Sequence, residues 1–229
     1  MSSVTDLARI RRMSERSRTD RAGLDAVLDA AMVGTLATVV DGQPWAVPML
    51  YARLGDRILL HGSTGAGALR HVAAGAPATL CVTLLDGIVL ADNLFDSSAN
   101  YRSAVVRGHL TTIDRAEADA ALTELSDALI PGRSAEVRPS TPKELAATLT
   151  IALPIVEGQW TVKVRDAPPS EGDANPRVWA GVVPIRAVAS TPERAPWVDA
   201  DVPQPPSVTR LRSDRQDRVN GPVRAVSES

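Results

Sequence analysis

From residue 34 to residue 113 the chain is a succession of short β-prone segments punctuated by Asp-Gly turns. This pattern constrains the fold more than any other feature. "GTLATVV" (34–40) and "WAVPMLY" (45–51) flank "DGQP", in which Asp41-Gly42 is a strong hairpin signal. "DRILLHG" (56–62), "PATLCVTLL" (77–85) and "YRSAVVRGHLTTI" (101–113) read as further strands, with Asp86-Gly87 expected to turn the chain before "IVLAD". "TIALPIVEG", "QWTVKVRD" and "VWAGVVPI" (178–185) supply the later strands. Pro48 lacks an N–H for a ladder, so its strand is expected to be an edge or to bulge there. Strict βαβ alternation is absent, which argues against a doubly wound parallel sheet. Six or seven antiparallel strands with helices between them indicate a mainly β fold with peripheral α, a closed or partly closed barrel.

The helical segments are few. Leu24, Val27, Leu28 and Ala31 have helical spacing behind a candidate N-cap, Asp20. "GALRHVAAG" (67–75) reads as a short helix and 114–130 as an amphipathic one behind Asp114. A fourth has Thr141 as N-cap and Pro142 at its first position. Residues 1–22, rich in arginine, are expected to form a basic surface arm, residues 23–186 the barrel domain, and residues 187–229 an extended or disordered Pro- and charge-rich tail.

Composition narrows the function classes. A net charge of −2 gives no basic field for nucleic acid. The single cysteine, Cys81, excludes a disulfide framework and a cysteine metal site. His61, His71 and His109 form no HxH or HxxxH pair, so no metal site is expected. With no long apolar run and no signal-like N-terminus, the expectation is a cytoplasmic protein that does not engage a membrane.

One stretch has the look of an anion loop: "HGSTGAGALR" (61–70), with three glycines, two hydroxyls and a terminal arginine. It fits neither GxxxxGK[ST], GxGxxG nor GxSxG. Two readings stand: a phosphate cradle, or a glycine-rich strand-to-helix connection. His61 at the strand end is either a working imidazole or one satisfied by a backbone carbonyl. In "NYRSAVVRG", Tyr101, Ser103, Val105 and Arg107 share one face, and Arg102 shares the other with Ala104 and Val106. A buried Arg102 needs a carboxylate (Asp92 or Asp96), a phosphate or a ring edge. Thr161, Lys163 and Arg165 alternate along one strand, as a solvated face or as a basic edge lining an anion site. Trp179 lies in an apolar strand suited to a core or a dimer interface.

Taken in order, "GTLAT…DGQPWAVPMLY…DRILLHGS…NYRSAVVRG…VKVR…VWAGVVPI" resembles the pyridoxamine 5'-phosphate oxidase-like FMN-binding split-barrel family, in its nitroimidazole-resistance-like branch. The resemblance spans residues 8–207. It implies a six-stranded antiparallel split β-barrel, homodimeric, with FMN at the subunit interface. Val47, Pro48 and Met49 would then run along the isoalloxazine. His61, Gly62, Ser63 and Thr64 would lie near the ribityl phosphate, with Arg70 at the loop's end. Tyr101, Arg102 and Ser103 would complete the site, with Lys163, Arg165 and Trp179 from the C-terminal strands. His61 and Arg102 would carry the catalytic roles. The implied activity is flavin-dependent oxidoreduction of a small-molecule substrate, with a nicotinamide nucleotide as candidate donor. The chain departs from the family pattern at Ala66-Gly67, where relatives carry a basic residue, and at Asp92, Asp96 and Ser97, where they carry an arginine and a His pair. Fewer cations near a dianionic phosphate should weaken FMN. Two further readings therefore stay open: the same barrel holding a deazaflavin, haem or a new biosynthetic substrate, or a non-catalytic dimeric paralogue.

Overall fold

The structure, a computed structural model, describes residues 17–18, 20–171 and 174–220. The basic arm falls mostly outside these residues; its described part includes β1 (Ser17–Arg18), which pairs with β9 (Trp160–Arg165). The remaining strands are β2 (Val33–Val40), β3 (Gln43–Leu54), β4 (Arg57–Ser63), β5 (Pro77–Leu90), β6 (Ser98–His109), β7 (Thr111–Thr112), β8 (Thr148–Pro154) and β10 (Gly181–Pro184). They form one curled antiparallel sheet in the order β1-β9-β6-β5-β2-β3-β4-β8-β7, with β10 added beside β5. The mainly β, antiparallel, barrel-like expectation holds. The count of six does not: the described sheet has 10 strands. Seven longer strands are joined by two two-residue segments, β1 and β7, too short to show alternation, and by β10, which lies within the expected strand 178–185.

Two hairpin turns need a left-handed backbone. Asp41 (φ 50°) and Gly42 (φ 75°) close β2 onto β3, and Gly55 (φ 60°) sits between β3 and β4. Asp86-Gly87 does not turn. β5 runs straight through it with a register shift between Leu85 and Gly87, because both sides are paired, to β6 and to β10. A side chain at Gly87 would stand 3.0 Å from the Val183 carbonyl, so the glycine serves close strand packing.

Helix α1 (Arg21–Ala30) starts where the Asp20 carboxylate accepts from the Gly23 N–H at 2.7 Å. Its Leu24, Val27 and Leu28 are buried with Leu36, Tyr51, Leu60, Leu80, Val106 and Leu153 in the barrel interior. The helix thus plugs the barrel. β6 and β8 close it by packing, Leu153 meeting the backbone at Gly108. Helix α2 (Gly67–Ala73) follows the glycine loop. Helix α3 (Arg115–Leu129) covers the outer side of β3, β4 and β8, setting Ala121, Leu125 and Leu129 on Ala52, Leu59 and Ala152. Asp114 occupies its N-cap position, and α4 (Pro142–Ala147) opens on a complete capping box between Thr141 and Glu144.

The tail is a second correction. Residues 206–220 are a helix, α5 (Pro206–Asn220), rather than extended chain. Its sequence has no apolar stripe because hydrogen bonds hold it. Glu136 accepts from the buried Ser207 N–H at 2.9 Å and from its hydroxyl, Arg210 donates to the Pro131 carbonyl, and Asn220 to the Ala187 carbonyl.

Candidate functional site

The sheet splits where β3 and β4 part company. Only Tyr51 to Leu54 of β3 pair with β4; from His61 to Ser63, β4 continues with β8 alone. Residues 43–50 of β3 therefore pair with β2 on one side and leave the other edge open. Pro48 sits on that half, opposite Thr35, so the expectation that it marks an edge holds. The divergence brings Val47–Met49 and His61–Ser63 to the two sides of one opening. Leu69 of α2 wedges in beside it: a Cβ at Gly62 would lie 2.3 Å from Leu69 and 3.9 Å from Met49.

Loop 61–70 spends several of its donors on itself. The Thr64 N–H and hydroxyl both donate to the Ala147 carbonyl, at 3.1 and 3.3 Å, and the Gly65 N–H donates to the Ser63 hydroxyl at 3.1 Å. Arg70 remains exposed on α2. His61 faces outward, on the side of Leu59 and away from Leu60. Part of its ring is open to solvent, yet the protein around it disfavours the imidazolium and lowers its pKa.

Arg102 is buried at 5 % exposure on the face of Ala104 and Val106, as the alternation requires. Its partner is Asp86, not Asp92 or Asp96: two bonds of 2.9 and 2.7 Å form a bidentate clamp, and Nη2 also donates to the Val219 carbonyl near the end of α5. The bulge at Leu85/Gly87 aims Asp86 inward, which residue spacing could not foretell. Asp92 and Asp96 instead tie up the β5–β6 loop through Asn93, with Asp92 also accepting from the Asn175 N–H at 2.6 Å. Arg102 and His61 project from opposite faces of the sheet with β5, β2 and β3 between their strands, so one protomer does not bring them together. Arg165 leaves the expected basic edge. It is buried, and its guanidinium donates to the Asn100 side chain at 2.5 Å, fixing the start of β6.

Tyr101, Ser103 and Lys163 do share a face. Register places Leu50, Val33, Thr83, Ser103 and Lys163 in one row across five strands, and Pro48, Thr35, Cys81, Val105 and Thr161 in the next. This outer face leaves Val33, Leu50 and Leu85 about half exposed. Trp179, 66 % exposed, lies over Gly181 beside β5.

A cavity of ≈ 690 Å³ opens at the Ala37–Thr79–Arg107 end of the same face. Its walls are largely apolar, from Ala37, Val39, Pro77 and Val156, with Thr38, Thr79, Arg107, His109 and Gln159 as the polar side chains. Arg107 Nη1 is buried with no hydrogen-bond partner among the described residues, and burial lowers the guanidinium pKa without discharging it. The His109 Nδ1 is 2.7 Å from the Gly75 carbonyl. Sequence reasoning missed this constellation: alternation put Arg107 on the right face, but His109 looked isolated because the cavity wall comes from four separate strands and loops.

Residues 20–161 match the family described as Pyridoxamine 5'-phosphate oxidase. The chain belongs to this family. Among solved structures, this family member is similar to the FAD and haem binding protein from Mycobacterium smegmatis, at 44% identity over 86% of this chain and 97% of that one, with a TM-score of 0.84. It is also similar to the flavocytochrome Anf3 from Azotobacter vinelandii, at 32% identity over 93% and 99%, with a TM-score of 0.85. A 5-nitroimidazole antibiotic resistance protein from Bacteroides thetaiotaomicron, 19% identical over 65% and 86% with a TM-score of 0.54, shares the fold. No curated protein sequence matches. The flavocytochrome likeness extends well past residue 161, into the C-terminal part that the family match leaves out. Among the described residues no helix is long and apolar enough to cross a membrane.

Proposed function

We propose that this family member is a flavin- and haem-binding oxidoreductase, with FAD rather than FMN as its flavin. The observation that carries the proposal is 44% identity, over 86% of the chain, to a protein that binds both FAD and haem. The chemistry of loop 61–70 supports the choice of flavin. A terminal phosphate monoester carries close to two negative charges near neutral pH. Each phosphate of a pyrophosphate diester carries one, so FAD asks less of the positions where Ala66 and Gly67 stand. The open edge of β3 offers backbone groups to the ring system at Val47, Pro48 and Met49, Pro48 contributing its carbonyl only. Gly62 and Ser63 line the facing side, and Arg70 supplies the loop's cation.

Bound flavin supplies the electron-transfer chemistry. The protein's own part is orientation and proton handling. The lowered pKa of His61 keeps its imidazole neutral at pH 7, able to give a proton from one nitrogen or accept one at the other. Arg102 fixes β5, β6 and α5 to one another; its clamp to Asp86 makes it a positioning residue. Tyr101, Ser103, Lys163 and Trp179 serve the outer face, where a second copy packs to form a homodimer and completes the flavin site. The substrate is a small molecule, and a nicotinamide nucleotide is the electron donor.

The visible spectrum of the purified protein, with chromatography of the released cofactor, tests this reading. Flavin bands plus a Soret band, and release of FAD, are expected, with bleaching of the flavin by a reduced nicotinamide nucleotide under anaerobic conditions. A colourless protein that neither FAD, FMN nor haemin stabilises against heat overturns it.

A further inference from the structure

We infer that the cavity lined by Arg107, His109 and Gln159 is the haem pocket, with His109 Nε2 as an axial ligand of the iron and Arg107 as the partner of a haem carboxylate. The inference rests on the haem half of the reading above and adds a place and a ligand set to it.

Three observations converge. A histidine that ligates a metal offers one ring nitrogen while the other donates a hydrogen bond that fixes tautomer and ring plane. His109 is so arranged: its Nδ1 lies 2.7 Å from the Gly75 carbonyl, so Nδ1 carries the proton and Nε2 keeps its lone pair. Among the described residues no hydrogen bond engages His109 Nε2. The other two histidines lack this arrangement. His71 has its Nε2 against the Val39 carbonyl, which leaves the hindered Nδ1, and among the described residues His61 has no hydrogen bond to orient its ring.

The second observation is an unpartnered guanidinium nitrogen on the half-buried Arg107. Arg107 Nη1 is buried, lines the same cavity as His109 and finds no partner among the described residues. A guanidinium held in apolar surroundings without an anion is costly, and a planar carboxylate answers its fork geometry. Haem presents this combination, a broad apolar ring with two carboxylates on one edge. The Thr38 hydroxyl at the wall is already satisfied, donating to the Pro77 carbonyl at 2.7 Å.

Third, the size fits. At ≈ 690 Å³ the cavity falls within the range of about 300–1,000 Å³ usual for cofactor and ligand sites, and its lining is predominantly apolar. Its place also suits a two-cofactor protein. β2 serves both sites: Gly34 and Thr35 oppose Met49 and Pro48, while Ala37 to Val39 form the cavity wall about 10 Å further along the strand at roughly 3.3 Å per residue.

The test is titration of the full-length protein, stripped of haem, with haemin, followed through the Soret band. Wild type is expected to give a sharp Soret band, and His109→Ala a shifted band with affinity at least about tenfold weaker. Added imidazole should restore the band, which a merely structural role of His109 would not allow. Arg107→Met should weaken haemin about tenfold to a hundredfold with the Soret position unchanged, since it removes a charge-assisted contact and no iron ligand. His71→Gln should bind as wild type does. Circular dichroism and flavin retention report folding, and His109→Gln is the second variant should alanine fail to fold. A wild-type protein with no Soret band refutes the haem reading itself. A wild-type band that persists unaltered in both His109 variants, or that disappears in His71→Gln instead, refutes this pocket alone.

Discussion

Single residues decide where charge is tolerated. His61 has a folded-state pKa below its ordinary value of 6.5. The unfolded chain therefore binds the proton more readily. Stability should be full above pH 6.5 and decline as the pH falls below it, until the folded imidazole also protonates. Chemical denaturation from pH 8 to pH 5 checks this, and His61→Gln should remove that part of the slope. Glu144 moves stability in the same direction, but over a more acidic range. Held down to about 2 by Arg138 and the Thr141 N–H, its carboxylate adds stability above 4.5 that is lost as the pH drops through about 2. At Arg102 the outcome turns on Asp86. Asp86→Ala leaves a guanidinium at 5 % exposure without its bidentate partner, and should cost about 2–4 kcal/mol in denaturant unfolding. The alternation of "NYRSAVVRG" placed Arg102 inside from residue order alone. Its partner was hidden because a bulge redirects Asp86, and bulges follow from paired neighbours on both sides.

At the scale of elements, the informative event is the parting of β3 from β4. Asp41-Gly42 announces the β2–β3 hairpin, and Pro48 announces an open edge. Neither tells how many residues β4 shares with β3 before it turns to β8. Gly62 guards that opening. Gly62→Val should force Leu69 aside, lowering stability by about 1–3 kcal/mol and weakening flavin binding more than an exposed substitution such as Arg70→Lys. Thermal unfolding with and without FAD separates the two effects. Helix α5 is an element the sequence hides. It has no apolar stripe, and what docks it is Ser207 on Glu136 together with the Arg102 bond to the Val219 carbonyl. Glu136→Ala should free the helix, read as faster amide exchange over residues 206–220 with the barrel's protection unchanged.

For the whole molecule, the proposed homodimer would form on the outer face. Val33, Leu50 and Leu85 stand 50%, 46% and 47% exposed on a sheet face where Lys163 and Arg107 are half-buried and Arg165 is buried. Light scattering of the purified protein should give twice the chain mass, and Leu50→Asp with Leu85→Asp should shift it to monomer with loss of flavin. The antiparallel strand grammar, the helix caps at Asp20 and Thr141, the inward face of β6 and the family were all legible in the residue order, since each depends on neighbours a few positions apart. The depth of the β3–β4 split, the Asp86 clamp, the docking of α5 and the meeting of Arg107 with His109 over one apolar cavity were decided only in three dimensions. Those features join residues from separate strands and loops, and no local pattern records which strand ends face each other once the sheet curls shut.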